Sequence, residues 1–547
     1  MWRMINKPER RNFYVRNGVA YTEDRIPIRR VSWSCVYPIP LISVTRHFSD
    51  FGSLSEVTQD HRTDLGTILF MTVFGAARAL YNQSHFVNGK RVNLMASPTR
   101  YQPQFGGGTI SGYDLAITDD VLRTVVRKYL TLESRINFAA TCPRFEEIYL
   151  LESKNCTKVL YLAELGELTD WGITELMRLS GPHIQVILGG PLPMRWPHMK
   201  RLVTMLGPCC PALKSVHLTE VLLTNFHLNH LFERSQGIRC ITELTLRRCG
   251  LMDHDLLSLN EMSSIMYLDV GWNTGLVGLT LYALPHSIAT LVLSRCPNLK
   301  PSNLQRLGNR PQLRNLRCSI ILYRTINVEW MEDNEPNTNE EVYKPLVVKC
   351  PKLYILEVTV CPYQDEDEIA NFPELTRLTL VPLPIEPEPY SVKDSLMSAL
   401  AEKNILEHLD IGYANSSFVG IDSLRAITRL THLQSLTLPN QDLSDFDLRD
   451  LANLSDLRYL NVSGSTYLTN TTVVNLVKKL RRLRVLSVRR CPKISCEVFP
   501  ALLMELRSRR HDLSDEHLAK SLELDVTFTK VVSIEIPEAQ DLLKVII

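Results

Sequence analysis

Apolar positions recur along the middle of the chain in one frame: a leucine, two free residues, a second leucine, one free residue, a third apolar residue. The frame reads LKSVHL (213–218), ITELTL (241–246), IMYLDV (265–270), IATLVL (288–293), LRNLRC (313–318) and LYILEV (353–358). It continues as LTRLTL (375–380), LEHLDI (406–411), LQSLTL (433–438), LRYLNV (457–462) and LRVLSV (483–488), with a weaker copy, IQVI (184–187), before them all. Its central residues are Val216, Leu244, Leu268, Leu291, Leu316, Leu356, Leu378, Leu409, Leu436, Leu460 and Leu486; subtracting neighbours gives 28, 24, 23, 25, 40, 22, 31, 27, 24 and 26. Within each frame the apolar and polar positions alternate, as on a short half-buried strand. The remainder of each interval has room for a helix or a helical turn. One such unit cannot bury its apolar face alone, but stacked copies bury a continuous core in which each touches only its neighbours.

A second register runs five residues after the central one. It holds Cys249, Asn273, Cys296, Cys361 and Cys491, and a Cys-Pro pair recurs at Cys210-Pro211 and Cys350-Pro351. An inward Asn or Cys at that turn satisfies backbone groups that no strand partner reaches. Together the two phases resemble the cysteine-containing leucine-rich repeats over residues 155–500. The expected fold class is α/β, a leucine-rich-repeat solenoid of the horseshoe type, closed by a C-terminal cap over 501–547 in which SLELDV (521–526) supplies a final strand.

Residues 117–151 change the period from two to that of helices. Thr118 is placed as an N-cap, with Asp119 and Asp120 in the first turn. Val121, Leu122, Val125, Val126 and Tyr129 then form an apolar stripe. Leu130-Thr131 breaks it, a second short helix carries Ile136 and Phe138, and Pro143 opens a third. Three such helices make too small a core to stand alone. Ile117, Asp119, Asp120, Val121, Leu122, Val125, Tyr129, Leu130, Ala140, Cys142 and Arg144 are similar in type and spacing to the F-box, with Thr118 where proline is usual and Phe145 where tryptophan is usual. That resemblance implies a Skp-type adaptor bound through Ile117, Val121, Leu122, Val125, Val126, Tyr129, Leu130, Cys142 and Phe145, joining the chain to a cullin–RING ubiquitin ligase core. It implies a receptor, not an enzyme, with the repeats holding a protein substrate. The other class left open is a leucine-rich-repeat scaffold or inhibitor that never meets a ligase.

Composition narrows the remainder. The chain has 547 residues and a net charge of +2, so nothing global points to nucleic acid or to a charged membrane surface. Residues 1–104 read as a basic, partly disordered region, with nine Lys or Arg against three acids in residues 1–46. Leu65 to Leu80 is apolar but shorter than the ~20 residues of a membrane span, and is expected as one buried helix. FGGGTISG (105–112) lies in an expected flexible linker, 105–116, and lacks the Gly-Lys-Ser/Thr of a phosphate loop. His227 and His230 lack partners at metal spacing. No cofactor or metal is expected. Thirteen cysteines, at least six of them on the repeat phase, and no secretory signal suggest a reducing compartment, cytoplasmic or nuclear.

Two surfaces of the repeats carry candidate recognition residues. Arg247, Arg248, Tyr267, Asp269, Trp272, Arg295 and Arg317 fall on expected exposed positions of four successive repeats, and Arg and Trp are enriched at binding hot spots. The one long interval holds an acidic insertion, 327–342, with six acids and no base. PYQDEDE (362–368) and VPLPIEPEPY (381–390) follow it, and the three are expected to crowd one acidic edge.

Overall fold

The computed structural model describes residues 12–16, 19–60, 65–81, 84–103, 117–141, 143–191, 198–232, 240–319, 341–360, 364–382, 392–412, 419–441, 443–512, 521–531 and 541–547. The chain divides into two compact units, residues 1–188 with 197–213, and residues 189–196 with 214–547.

The first unit begins with a hairpin, β1 (Tyr14–Arg16) and β2 (Val19–Tyr21), followed by β3 (Arg30–Cys35), α1 (Leu41–Ser49), β4 (Leu54–Asp60), β5 (Leu65–Phe70), α2 (Val73–Tyr81), β6 (Ser84–Val87) and β7 (Lys90–Ala96). These strands form an antiparallel sheet in the order β4-β5-β3-β7-β6. Strands β3 and β4, joined by α1, run parallel with β5 between them, a split β-α-β unit, whereas α2 joins the antiparallel β5 and β6. Its core is built by strict alternation. Val31, Trp33 and Cys35 of β3 and Ile68 and Phe70 of β5 are buried, while Arg30, Ser32, Ser34, Leu65, Thr67 and Leu69 face outward. Gly66 packs under Trp33, and a Cβ there would lie 2.4 Å from the indole ring.

Two expectations are corrected here. The basic region is a folded sheet module over its described residues. Its arginines flank strand positions, with Arg29 donating to the Phe70 carbonyl at 3.0 Å and Arg30 pairing with Glu56 at 3.0 Å. The apolar run Leu65–Leu80 is a strand and then a helix, because burial alternates with period two up to Phe70 and breaks at Met71-Thr72. The expected linker lies outside the described residues.

The unit continues with α3 (Asp119–Lys128), α4 (Leu132–Thr141), α5 (Pro143–Cys156), β8 (Val159–Tyr161), α6 (Asp170–Ser180), β9 (Val186–Gly189) and α7 (Met199–Cys209). Strands β8 and β9 pair in parallel, with Leu160 opposite Ile187. The weak IQVI copy is therefore a true strand, and β8 is one that the leucine frame did not reveal.

The second unit is the leucine-rich-repeat solenoid. Its strands are β10 (Ser215–Thr219), β11 (Glu243–Arg247), β12 (Tyr267–Asp269), β13 (Thr290–Val292), β14 (Asn315–Cys318), β15 (Ile355–Val360) and β16 (Arg377–Pro382). They continue through β17 (His408–Ile411), β18 (Ser435–Thr437), β19 (Tyr459–Asn461), β20 (Val485–Ser487), β21 (Leu522–Asp525) and β22 (Leu543–Ile546). Strand order is chain order. Every central residue pairs with the next: Val216 with Leu244, Leu244 with Leu268, and so on to Leu460 with Leu486. The 40-residue interval costs no register, since Leu316 still faces Leu356. Leu486 then faces Leu524 of the expected SLELDV strand, and β22 adds one more that had gone unread.

The second register has a clear physical role. Cys249, Cys296 and Cys491 are fully buried, and their thiols donate to the preceding coil, to the carbonyls of Leu218 at 3.6 Å, Val270 at 3.5 Å and Val462 at 3.6 Å. Asn273 does more. Its Oδ1 accepts from the N–H of Cys249 at 2.9 Å and of Leu251 at 3.1 Å, and its Nδ2 donates to Leu246 O at 2.8 Å and Val270 O at 2.7 Å. Cys361 lies outside the described residues.

Two measurements check this arrangement. Burial pushes the thiols of Cys249 and Cys296 up to about 12 and those of Cys350 and Cys491 up to about 11, so the reactive thiolate is scarce at neutral pH. In the native protein iodoacetamide is expected to label the exposed Cys240 and Cys496 and to spare these four, as read by peptide mass spectrometry. Asn273→Ala strands two buried N–H groups at about 1–3 kcal/mol each, so the urea midpoint is expected to fall accordingly.

Candidate interaction surfaces

In the first unit α3 has two unlike faces. Leu122 and Val126 are buried against Ala139, Ile148, Tyr149 and Leu179, so the helix module leans on the first repeat helix, α6. Ile117, Val121 and Tyr129 are 47%, 52% and 75% exposed. Val121, half-buried Val125 and the C-cap Tyr129 stand four residues apart on one side of α3, and Ile117 lies just ahead of its N-cap. Leu130 is half-buried, and half-buried Phe145 stacks on Phe138 at 4.2 Å between ring centroids. Of the residues expected to face an adaptor, Leu122 and Val126 are thus core, because a helix with one buried face turns every fourth residue inward. Cys142 lies outside the described residues.

Both ends of α3 are tied down by arginines. Thr118 occupies the N-cap position, but its side chain makes no cap bond. Instead Arg144 of α5 donates from Nη2 to Asp119 Oδ1 at 2.7 Å and to the Ile117 carbonyl at 2.6 Å. Arg135 of α4 donates to the carbonyls of Leu130 at 3.0 Å and Arg127 at 3.2 Å, which a helix end leaves without partners. Arg144 was visible only as a matched pattern position, and Arg135 carried no signal. A partly buried charge network fixes the same module. Arg100 pairs with Glu146 and with Glu175 (3.3 Å), and Arg178 with Glu146 (2.9 Å) and Glu175 (2.8 Å). Burial opposes the Arg178 charge, but Glu175 and Glu146 outweigh it and hold its pKa above the ordinary arginine value.

In the second unit the strand face and its C-terminal edge carry the other candidates. Arg247 pairs with Asp269 at 2.5 Å, and that bond raises the arginine's pKa. Tyr267 donates to the same carboxylate at 3.3 Å. Asp269, expected on the exposed face, is instead fully buried while the Arg247 side chain is 46% exposed, so the pair turns its cation outward. Arg317 is exposed on β14 and donates to Asn315 at 3.4 Å.

Arg248, Trp272 and Arg295 sit at the edge. Each is four residues after the central leucine and each has a left-handed backbone, with φ of 52°, 63° and 64°. The twist lets their N–H groups reach one step past the strand, to the carbonyls of Gly271 (3.1 Å), Ser294 (3.1 Å) and Ser319 (2.7 Å) of the next coil. Arg248 pairs with Glu220 at 2.7 Å, and the Arg295 guanidinium lies 4.4 Å from the centre of the Trp272 ring.

The acidic edge is corrected where it is described. The Asp365 carboxylate accepts from the N–H groups of Val342 (2.7 Å), Tyr343 (3.0 Å) and Lys344 (2.9 Å) and so caps the helix Tyr343–Lys349. Glu366 is fully buried and accepts from the Lys393 N–H at 3.0 Å. Asp367 accepts from Ser395 at 2.6 Å, and Glu368 from Asn371 at 2.7 Å. Asp365, Glu366 and Asp367 hold neighbouring coils together, as carboxylates do at helix starts, while Glu368 bonds within its own turn. Most of the insertion and most of the 381–390 loop lie outside the described residues.

One strand-face carboxyl had no sequence signal. Burial first, and Glu357 second, push Asp410 up to about 6. Its Oδ1 accepts no hydrogen bond among the described residues. Among those residues no cluster of three or more His, Cys, Asp or Glu is placed to hold a metal, and no helix is long and apolar enough to cross a membrane. His227 is instead bonded to Thr224, and His230 to the Phe226 carbonyl.

No protein-family model matches the chain, and no curated protein matches it. Solved structures do. An internalin, InlF, from Listeria monocytogenes is 13% identical, with 69% of this chain and 88% of that chain covered and a TM-score of 0.34. The Rad7 and Elc1 complex of yeast gives a match at 16% identity, covering 68% of this chain and 88% of that chain, with a TM-score of 0.39.

Asp410 gives the strand face a measurable signature. A carboxyl whose folded pKa is raised above the ordinary ~3.9 favours folding below that value. Its contribution is lost as pH rises through about 6. Asp410→Asn is therefore expected to match wild type in stability near pH 4 and to exceed it by about 2–3 kcal/mol at pH 7.5. Urea titrations across that range check it, and a pH-independent difference would refute the assignment.

Proposed function

We propose that the protein is the substrate-recognition subunit of an SCF-type ubiquitin ligase, binding a Skp-type adaptor through α3 and a protein substrate through the repeats. The observation that carries this reading is the apolar surface of exposed Val121 and Tyr129 with half-buried Val125 between them, and exposed Ile117 just ahead of the N-cap, on a helix whose ends are both fixed. A helix cap needs a polar outer side, whereas a partner groove needs apolar anchors at this spacing. The helix is already formed, so docking loses little conformational entropy.

In this role the chain does no chemistry. It raises the effective concentration of substrate beside the ubiquitin-charged enzyme. The described cysteines are free thiols, most of them buried, which supports a cytoplasmic or nuclear setting.

Co-purification tests the reading. Val121→Asp and Tyr129→Asp, each in the full-length chain, are expected to lower recovery of a Skp-type adaptor at least tenfold while leaving the melting temperature unchanged. Leu122→Asp is expected to unfold the module, since it buries an unpaired charge. Full adaptor recovery with both surface variants would favour a leucine-rich-repeat scaffold with no ligase role.

A further inference from the structure

The left-handed position at the end of the strands is occupied in different ways. In two coils it holds Asn440 (φ 57°) and Gly464 (φ 78°), residue types that tolerate this conformation. Glu220, Arg248, Trp272, Arg295, Arg490 and Phe528 adopt it too, with φ between 52° and 64°, although a Cβ disfavours it. The backbone bond made there does not depend on the side chain. Asn440 and Gly464 donate to Ser463 O at 2.6 Å and Arg489 O at 2.8 Å, just as Trp272 donates to Ser294 O at 3.1 Å. The strain belongs to the turn in general; what sets Arg248, Trp272 and Arg295 apart is that three consecutive coils present two guanidinium groups and an aromatic ring there.

The charge at this edge is mainly positive, with the exposed Glu220 paired to Arg248. Asp269 is fully buried beneath Arg247. Arg317 adds its charge from β14, and its field reaches Tyr267 across β13. Trp272, 41% exposed, supplies an apolar anchor already stacked by Arg295. Guanidinium groups beside an aromatic recognise carboxylates and phosphates by paired hydrogen bonds.

We propose that Arg248, Trp272 and Arg295, with Arg317 beside them, form a docking site for an extended anionic peptide segment of a partner protein. It rests on the proposed function only in taking that partner to be the ligase substrate. One aromatic is too few for the successive stacking that single-stranded nucleic acid uses, and residues one per coil at ~4.8 Å suit an extended chain.

The test uses the purified full-length chain and three fluorescein-labelled octapeptides of one sequence. They contain glutamate, phosphoserine or glutamine at alternate positions, with a single leucine. Fluorescence anisotropy at low salt is expected to show the glutamate or phosphoserine probe binding at least tenfold tighter than the glutamine probe. The tighter of the two names carboxylate or phosphate as the source of charge. Trp272→Gly and Arg248→Gly are each expected to weaken binding at least fivefold while the melting temperature stays level or rises, because glycine suits the backbone there. Equal affinity of the glutamate, phosphoserine and glutamine probes would overturn the proposal. So would unchanged affinity in both variants, or tighter binding of an oligo-dT probe that Trp272→Gly abolishes. Adaptor co-purification run on the same variants is expected to be unaffected, so the α3 reading stands or falls separately.

Discussion

The column of paired central residues from Val216 to Leu524 is the constraint on which the second unit depends. A strand slipped by one residue would turn its leucines outward, so each coil takes its register from the one before it. The polar residues of the second phase then close what the strands leave open. Asn273 and the buried cysteines bond the carbonyls and N–H groups at the strand ends, where the chain turns away. With those groups satisfied, insertions of very different length leave at the turns without disturbing the column. This is why the long interval between Leu316 and Leu356 is silent in the sheet.

The first unit is held in another way. Its sheet module is an ordinary alternating core around Trp33, Phe48 and Phe70. The helices α3 to α5 bury too little by themselves and are completed by α6, through Leu179 and through the four-membered charge network. Partly buried ion pairs of this kind contribute little net stability but penalise any arrangement that breaks one partner away. Their value here is positional: they fix α5 against α6, on which α3 packs.

How much of this was legible depended on the kind of signal. The repeat phase was, because eleven frames in register leave few alternatives, and so was the inward role of Asn273 and Cys296. The N-terminal sheet was not. Its strands are single copies, its inward run Gly66, Ile68, Phe70 merges without a break into an apolar helix, and flanking arginines imitated a solvated arm. The split of α3 into core and surface was half visible, since the stripe is wide enough to serve both. The duties of Asp365 to Asp367 were hidden, because a run of acids looks the same whether it caps neighbouring coils or faces water. The left-handed edge was also hidden, since nothing in a side chain such as Trp272 announces a positive φ.

The arginines at the two ends of α3 have a mechanical consequence. Arg144 ties the start of the helix to α5, Arg135 ties its end to α4, and Arg100 bonds α5 and α6 through their glutamates. Torque applied to α3 therefore cannot be absorbed by fraying at either end. It passes as a rigid displacement into α4 and α5, and from there to the segment that follows the N-terminal sheet. A load on this one helix is shared by the module as a whole, and α3 behaves as a handle and not as a hinge.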